Sequence, residues 1–101
     1  MRVMFDPEGH ISLQEIDDFA GFAAHAACTG EALDAGLTGA GRRENDAHLW
    51  INREWILANG RPADPQWRAA FEKMVAFAES RGWVDGDGAI RVHLVRRQGA
   101  P

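Results

Sequence analysis

A chain of 101 residues, 46% hydrophobic and 26% charged, has the size and make-up of one ordinary globular domain. No apolar run nears the roughly 20 residues of a membrane-spanning helix, and a lone cysteine, Cys28, excludes an internal disulfide. The net charge of −4 argues against nucleic acid as a partner. The charge is nonetheless uneven, with three basic residues against nine acids in residues 1–46 and eight against six in the remainder. The N-terminal residues lack the apolar stretch of a signal peptide, so a reducing cytoplasm is the expected location. Ten arginines against one lysine suggest a bacterial source with GC-rich coding.

Along the chain, residues 2–6 predict a short strand, Asp6-Pro7-Glu8-Gly9 a turn, and His10-Ile11 the return. Ser12 and Glu15 then have the spacing of a capping box. Behind them Leu13, Ile16, Phe19, Ala20, Phe22, Ala23, Ala26 and Ala27 span a broad apolar arc, which predicts a first helix over residues 13–27. Residues 29–46 are punctuated by Gly30, Gly36, Gly39 and Gly41 and carry one turn of helix around residues 31–35. A connection this long is either a functional loop or an undetected element.

His48-Leu49-Trp50-Ile51 predicts a strand, and Asn52 the cap of a short helix over residues 53–59, stopped by Gly60 and Pro62. The best-defined stretch follows. Asp64 is placed to cap a helix and Pro65 fits its first position. Trp67, Ala70, Phe71, Met74, Val75, Phe77 and Ala78 then fall on one face, and Gly82 supplies the stop. Trp83-Val84, the turn Asp85-Gly86-Asp87-Gly88 and residues 89–95 predict a strand, a turn and a strand. The last residues, 96–101, are expected to fray.

The expected fold is therefore α+β: two main amphipathic helices and a short one over a small antiparallel sheet, in a single domain spanning residues 1–101. Over residues 48–95 the order strand, short helix, long helix, strand, turn, strand resembles a winged-helix domain. The passage Ala78-Glu79-Ser80-Arg81-Gly82-Trp83-Val84-Asp85 resembles that family's step from helix to wing. The resemblance implies a DNA-binding regulator whose long helix enters the major groove. It would be led by Gln66, Trp67, Arg68 and Lys73, with Arg91, Arg96 and Arg97 on or beyond the wing.

Two further patterns bear on function. Met4-Phe5-Asp6-Pro7-Glu8-Gly9-His10-Ile11 is echoed by Trp83-Val84-Asp85-Gly86-Asp87-Gly88-Ala89-Ile90, both resembling the middle of a calcium loop. Apolar residues hold the first ligand position in both, and Leu94 stands where the second copy needs its closing glutamate, so two similar hairpin turns explain the echo better. Alternation gives the second pattern. If Leu49, Ile51, Ile90, Val92 and Leu94 face the core, His48, Trp50, Arg91 and His93 face away. Were the strands neighbours, these four would share one face, as a ligand patch or subunit interface.

No nucleophile elbow, zinc-protease motif, phosphate loop or dinucleotide fingerprint is present. Neither a cofactor nor a metal is expected, since His25 and Cys28, one helical turn apart, lack zinc-site partners. The leading expectation is a binding or regulatory module, homodimeric or bound to another protein or a small ligand. The alternatives are the winged-helix regulator and a small cofactor-free enzyme using His48 or His93 with Asp46 as acid–base pair.

Overall fold

The computed structural model describes residues 1–96. Its six strands are β1 (Arg2–Phe5), β2 (Ile11–Gln14), β3 (Ala23–Ala26), β4 (Gly41–Arg43), β5 (His48–Ile51) and β6 (Ile90–Arg96). They form one curled, half-barrel sheet in the order β2-β1-β3-β6-β5-β4. The inner strands β1, β3 and β6 run parallel, whereas β2, β5 and β4 pair antiparallel to their neighbours. Helix α1 (Gly30–Leu37) links β3 to β4, and α2 (Arg53–Asn59) and α3 (Pro65–Ser80) link β5 to β6.

This sheet overturns the expected fold. Instead of two main helices over a small antiparallel sheet, strands dominate and only α3 is long. The winged-helix order fails because β6 is an interior strand, bonded to β3 on one side and β5 on the other. A wing is an edge hairpin. Here the partner segment at residues 83–84 contributes a single bridge, Val84 to Ile90. Two of the four residues expected to lead α3 into DNA, Trp67 and Arg68, are also committed elsewhere. Trp67 is 3% exposed, with its indole N–H donating to the Ile16 carbonyl at 2.8 Å, and Arg68 lies 3.5 Å from Glu72. Arg96 closes β6, so the expected fraying does not begin there; Arg97 and the rest of that stretch lie outside the described residues.

The predicted helix over residues 13–27 is replaced by β2, a bend and β3. Glu15 adopts φ 52°, which no right-handed helix accommodates. The Asp18 N–H returns to the Glu15 carbonyl, and the Asp18 carboxylate accepts from the Ala20 N–H. The capping box does not form, since Ser12 pairs with Met4 in the sheet and Glu15 reaches Arg2 at 2.9 Å. Ala24 and Ala26 are weak strand formers that tertiary pairing overrides, with β1 on one side and β6 on the other. Residues 29–46, left open between loop and element, hold α1 and β4.

Other local signals hold. Helix α3 starts with Asp64 accepting from the Gln66 and Trp67 N–H groups at 2.9 and 3.4 Å. It ends with Gly82 at φ 76° and the Trp83 N–H returning to the Ala78 carbonyl at 2.9 Å. Helix α2 has its expected bounds, although the Asn52 side chain makes no capping bond.

The two echoed turns share one construction. In each, the first aspartate exchanges backbone bonds across the turn, Asp6 with His10 and Gly9, and Asp85 with Ala89 and Gly88. Its Oδ1 accepts two further N–H groups, from Glu8 and His10 or from Asp87 and Ala89, at 2.8–2.9 Å. Gly9 and Gly88 then take φ 91° and 86°, the left-handed residue of a bulged three-residue hairpin loop.

One core lies on one side of the sheet. Val3, Phe5, Ala24, Ala26, Leu49, Ile51, Ile90, Val92 and Leu94 point into it and are at most 4% exposed. Leu33 and Leu37 of α1, Ile56 of α2, and Trp67, Phe71 and Val75 of α3 pack against them. Trp67 stacks on Phe71 at 5.3 Å and meets Phe19 edge-on at 5.7 Å. With the Trp67–Ile16 bond and an Arg61–Asp17 ion pair at 2.6 Å, this pins residues 16–19 to α3 and to the connection that precedes it. That anchorage sets one wall of the site described next.

Candidate ligand-binding pocket

Alternation along β5 and β6 sends His48, Trp50, Arg91 and His93 to the outer face. Register makes His48 the partner of His93 and Trp50 the partner of Arg91, so these four residues do share one face. The imidazoles meet edge to face at 5.3 Å. Around Trp50 and Arg91 the face is latched by Glu44. Its carboxylate accepts from the Trp50 indole at 2.9 Å, and from Arg91 Nε at 3.0 Å and Nη2 at 2.7 Å. Arg91 thereby holds the Glu44 carboxyl below the ordinary carboxylate range, and Glu44 in turn raises Arg91. Arg42 lies 5.2 Å over the Trp50 ring and donates to Asp85 at 2.7 Å, which lowers the Asp85 pKa. Trp50 is thus a member of an ion-pair latch, while the other three residues reach a cavity.

The cavity arises from a mismatch of strand lengths. Residue 23, the first of β3, stands opposite His93, so residues 90–92 of β6 have only the Val84 bridge on that side. A cavity of about 350 Å³ occupies this notch. Phe19 and Phe22 form one wall, and Phe77 and Trp83, edge to face at 6.2 Å, form the other. Met74, Ala78 and Ile90 line it from the helix side, and His48, Arg91 and His93 border it from the outer face. Beside the Trp83 indole its polar side chains are two imidazoles and one guanidinium, with no carboxylate among them.

Sequence reasoning reached the three polar residues and missed the aromatic walls. The pattern puts Phe19 and Phe22 on a helix face and Phe77 on the apolar face of the long helix, and it does not bring these segments together. Of nine Phe and Trp residues only Phe5, Trp67 and Phe71 are fully buried, a division that the sequence does not display.

The other candidate centres do not assemble. Asp46 is 95% exposed and its side chain lies 3.9 Å from Arg96, with no hydrogen bond to either imidazole among the described residues. His48 instead points Nδ1 at the Asn45 side-chain oxygen, 3.4 Å away. His25 sits on β3 opposite Met4 and Val95, and Cys28 is buried beyond the strand end, its thiol pushed up by desolvation. With no helix there, the one-turn spacing of His25 and Cys28 loses its meaning. Asp6 and Asp85 spend their carboxylates on turn N–H groups, and Asp85 also on Arg42. Among the described residues no group of three or more His, Cys, Asp or Glu is placed to hold a metal ion. No described helix is long and apolar enough to cross a membrane.

No family model, curated protein or solved structure matches this chain. The chemistry of the notch has to be read from its own residues: apolar walls suited to a flat or branched hydrophobic body, and nitrogen donors at one end.

Proposed function

We propose that the protein is a small cytoplasmic binding module that takes a small ligand into the notch between α3, residues 19–22 and β6. The observation that carries this reading is the lining: an aromatic slot ending in three convergent polar side chains. Apolar walls with a few placed polar groups, at a volume above about 300 Å³, are the usual make-up of ligand pockets. The location also supports it, because a break in a strand ladder leaves room for a ligand without disturbing the core. Ligand-observed NMR with a fragment library tests the reading. Hits should shift the resonances of Trp83, Phe77 and His93, and Ala20→Trp, at an exposed lining position, should abolish them while leaving the fold intact. Hits that survive the plug, or map elsewhere, would refute it.

A second reading, self-association, draws on the mouth of the same notch. Phe77 and Trp83 are 55% and 40% exposed and lie side by side, an apolar pair open to a partner surface. A homodimer joined there should become monomeric in light scattering on Phe77→Asp, and a wild-type monomer at high concentration would end this reading.

A further inference from the structure

We infer that the ligand of this notch is an apolar organic acid, its hydrocarbon body between the aromatic walls and its carboxylate on His93 and Arg91. The inference rests on the pocket reading above and adds the chemical class. The walls set the body: at the ~30 Å³ that one liquid water occupies, a 350 Å³ cavity has room for about a dozen non-hydrogen atoms.

The head group follows from which hydrogen-bonding positions remain open. Glu44 takes Nε and Nη2 of Arg91, leaving Nη1 without a partner among the described residues. Among the described residues the His93 side chain meets the His48 ring edge to face and makes no hydrogen bond, so it presents an N–H in either tautomer. Arg91 and His93 stand two residues apart on the same face of β6, about 7 Å along the strand. His48 is turned toward Asn45 and buttresses the His93 ring. The Glu44 latch holds the Arg91 guanidinium in place before any ligand arrives, which limits the ordering cost of binding.

Each open group at the polar end offers an N–H donor, and no carboxylate lines the notch. A cationic head would bring more N–H donors to the open Arg91 Nη1, and the one carboxylate beside it, Glu44, is already engaged by Arg91 and Trp50. A neutral head of the same shape would keep the aromatic contacts and lose the charge-assisted bonds, which are the stronger kind. A carboxylate, which accepts on both oxygens, satisfies Arg91 Nη1 and the His93 N–H together.

Three probes sharing one body test this on the full chain: 2-naphthoate, 2-naphthamide and 2-naphthylmethylammonium, titrated by calorimetry and by NMR. The naphthoate should bind roughly ten-fold tighter than the amide, and the ammonium weakest, with all shifts mapping to the Phe77–Trp83 wall. His93→Ala should weaken the acid more than the amide and so narrow the preference to what Arg91 alone supplies, and His93→Gln, which keeps an N–H donor, should restore much of it. Amide binding at the wall as tight as naphthoate binding overturns the acid while leaving the pocket. No binding of any probe at the wall overturns the pocket reading as well.

Discussion

Two faces of the same strands do different work. On the inner face of β5 and β6, Leu49, Ile51, Ile90, Val92 and Leu94 are at most 4% exposed and differ little in character, since each is there to be removed from water. One residue along in each case, the outer face carries His48, Trp50, Arg91 and His93, held by hydrogen bonds, an ion pair and ring contacts. The inner face is continuous and packed on all three helices. The outer face is interrupted where β3 starts, and the notch lies at that interruption. The contrast teaches that in this small sheet burial and recognition are divided by the two-residue period of the strand. Substitutions on the two faces should therefore separate stability from binding.

The largest effect is expected on the inner side. Phe71 is fully buried and stacked on Trp67, so Phe71→Ala should cost about 3–5 kcal/mol in urea unfolding. A loss under about 1 kcal/mol would show that the core has been misplaced. Next comes backbone approach. A Cβ on Gly36 would lie 2.2 Å from the Gly9 carbonyl oxygen, where α1 crosses the first hairpin turn. Gly36→Ala should cost about 1–3 kcal/mol. Gly86→Ala, with nothing within 4 Å of the added carbon, serves as its near-neutral control.

Acid should bear on the turns and the latch rather than on the core. The pKa of Asp6 is lowered first by the His10 backbone bond, that of Asp85 by the Arg42 bond, and that of Glu44 by the Arg91 bond. Each group has a lower pKa folded than unfolded. Its contribution is thus complete above the unfolded carboxylate range, about pH 4, and is lost as pH falls through the folded value. Stability measured against pH should decline below about pH 4, and Asp85→Asn should flatten that decline while lowering stability at neutral pH. The smallest effect is expected at the notch. His93→Ala removes an exposed side chain that makes no hydrogen bond among the described residues, so unfolding should change by less than about 0.5 kcal/mol even as the preference for acids narrows.

Legibility followed the range of the interactions. Helices α2 and α3, β5, the two hairpin turns and the facing of β5 and β6 were all readable, because capping residues, glycines and short-period alternation act within a few residues. The same local reasoning misassigned residues 13–27. Leu13, Ile16, Phe19 and Phe22 fit a helical arc as well as they fit two short strands around a bend. Only the left-handed Glu15 and the pairing of Val3 with Ala24 decide between the two. The candidate site shows the same split: His48, Arg91 and His93 were found by alternation, whereas the aromatic walls come from segments brought together across more than fifty residues.

By itself, the sequence determined where α3 begins and ends, that β5 and β6 each have an apolar and a polar side, and that Asp-x-acid-Gly closes two like turns. Those outcomes depend on neighbours in the chain. The tertiary structure alone decided that β6 lies inside the sheet between β3 and β5, which removes the wing, and that β3 starts late enough to leave a notch. Parallel pairing of β1, β3 and β6 joins residues far apart in sequence. It is selected by burial of all the inner faces at once, a requirement that no local stretch of residues expresses.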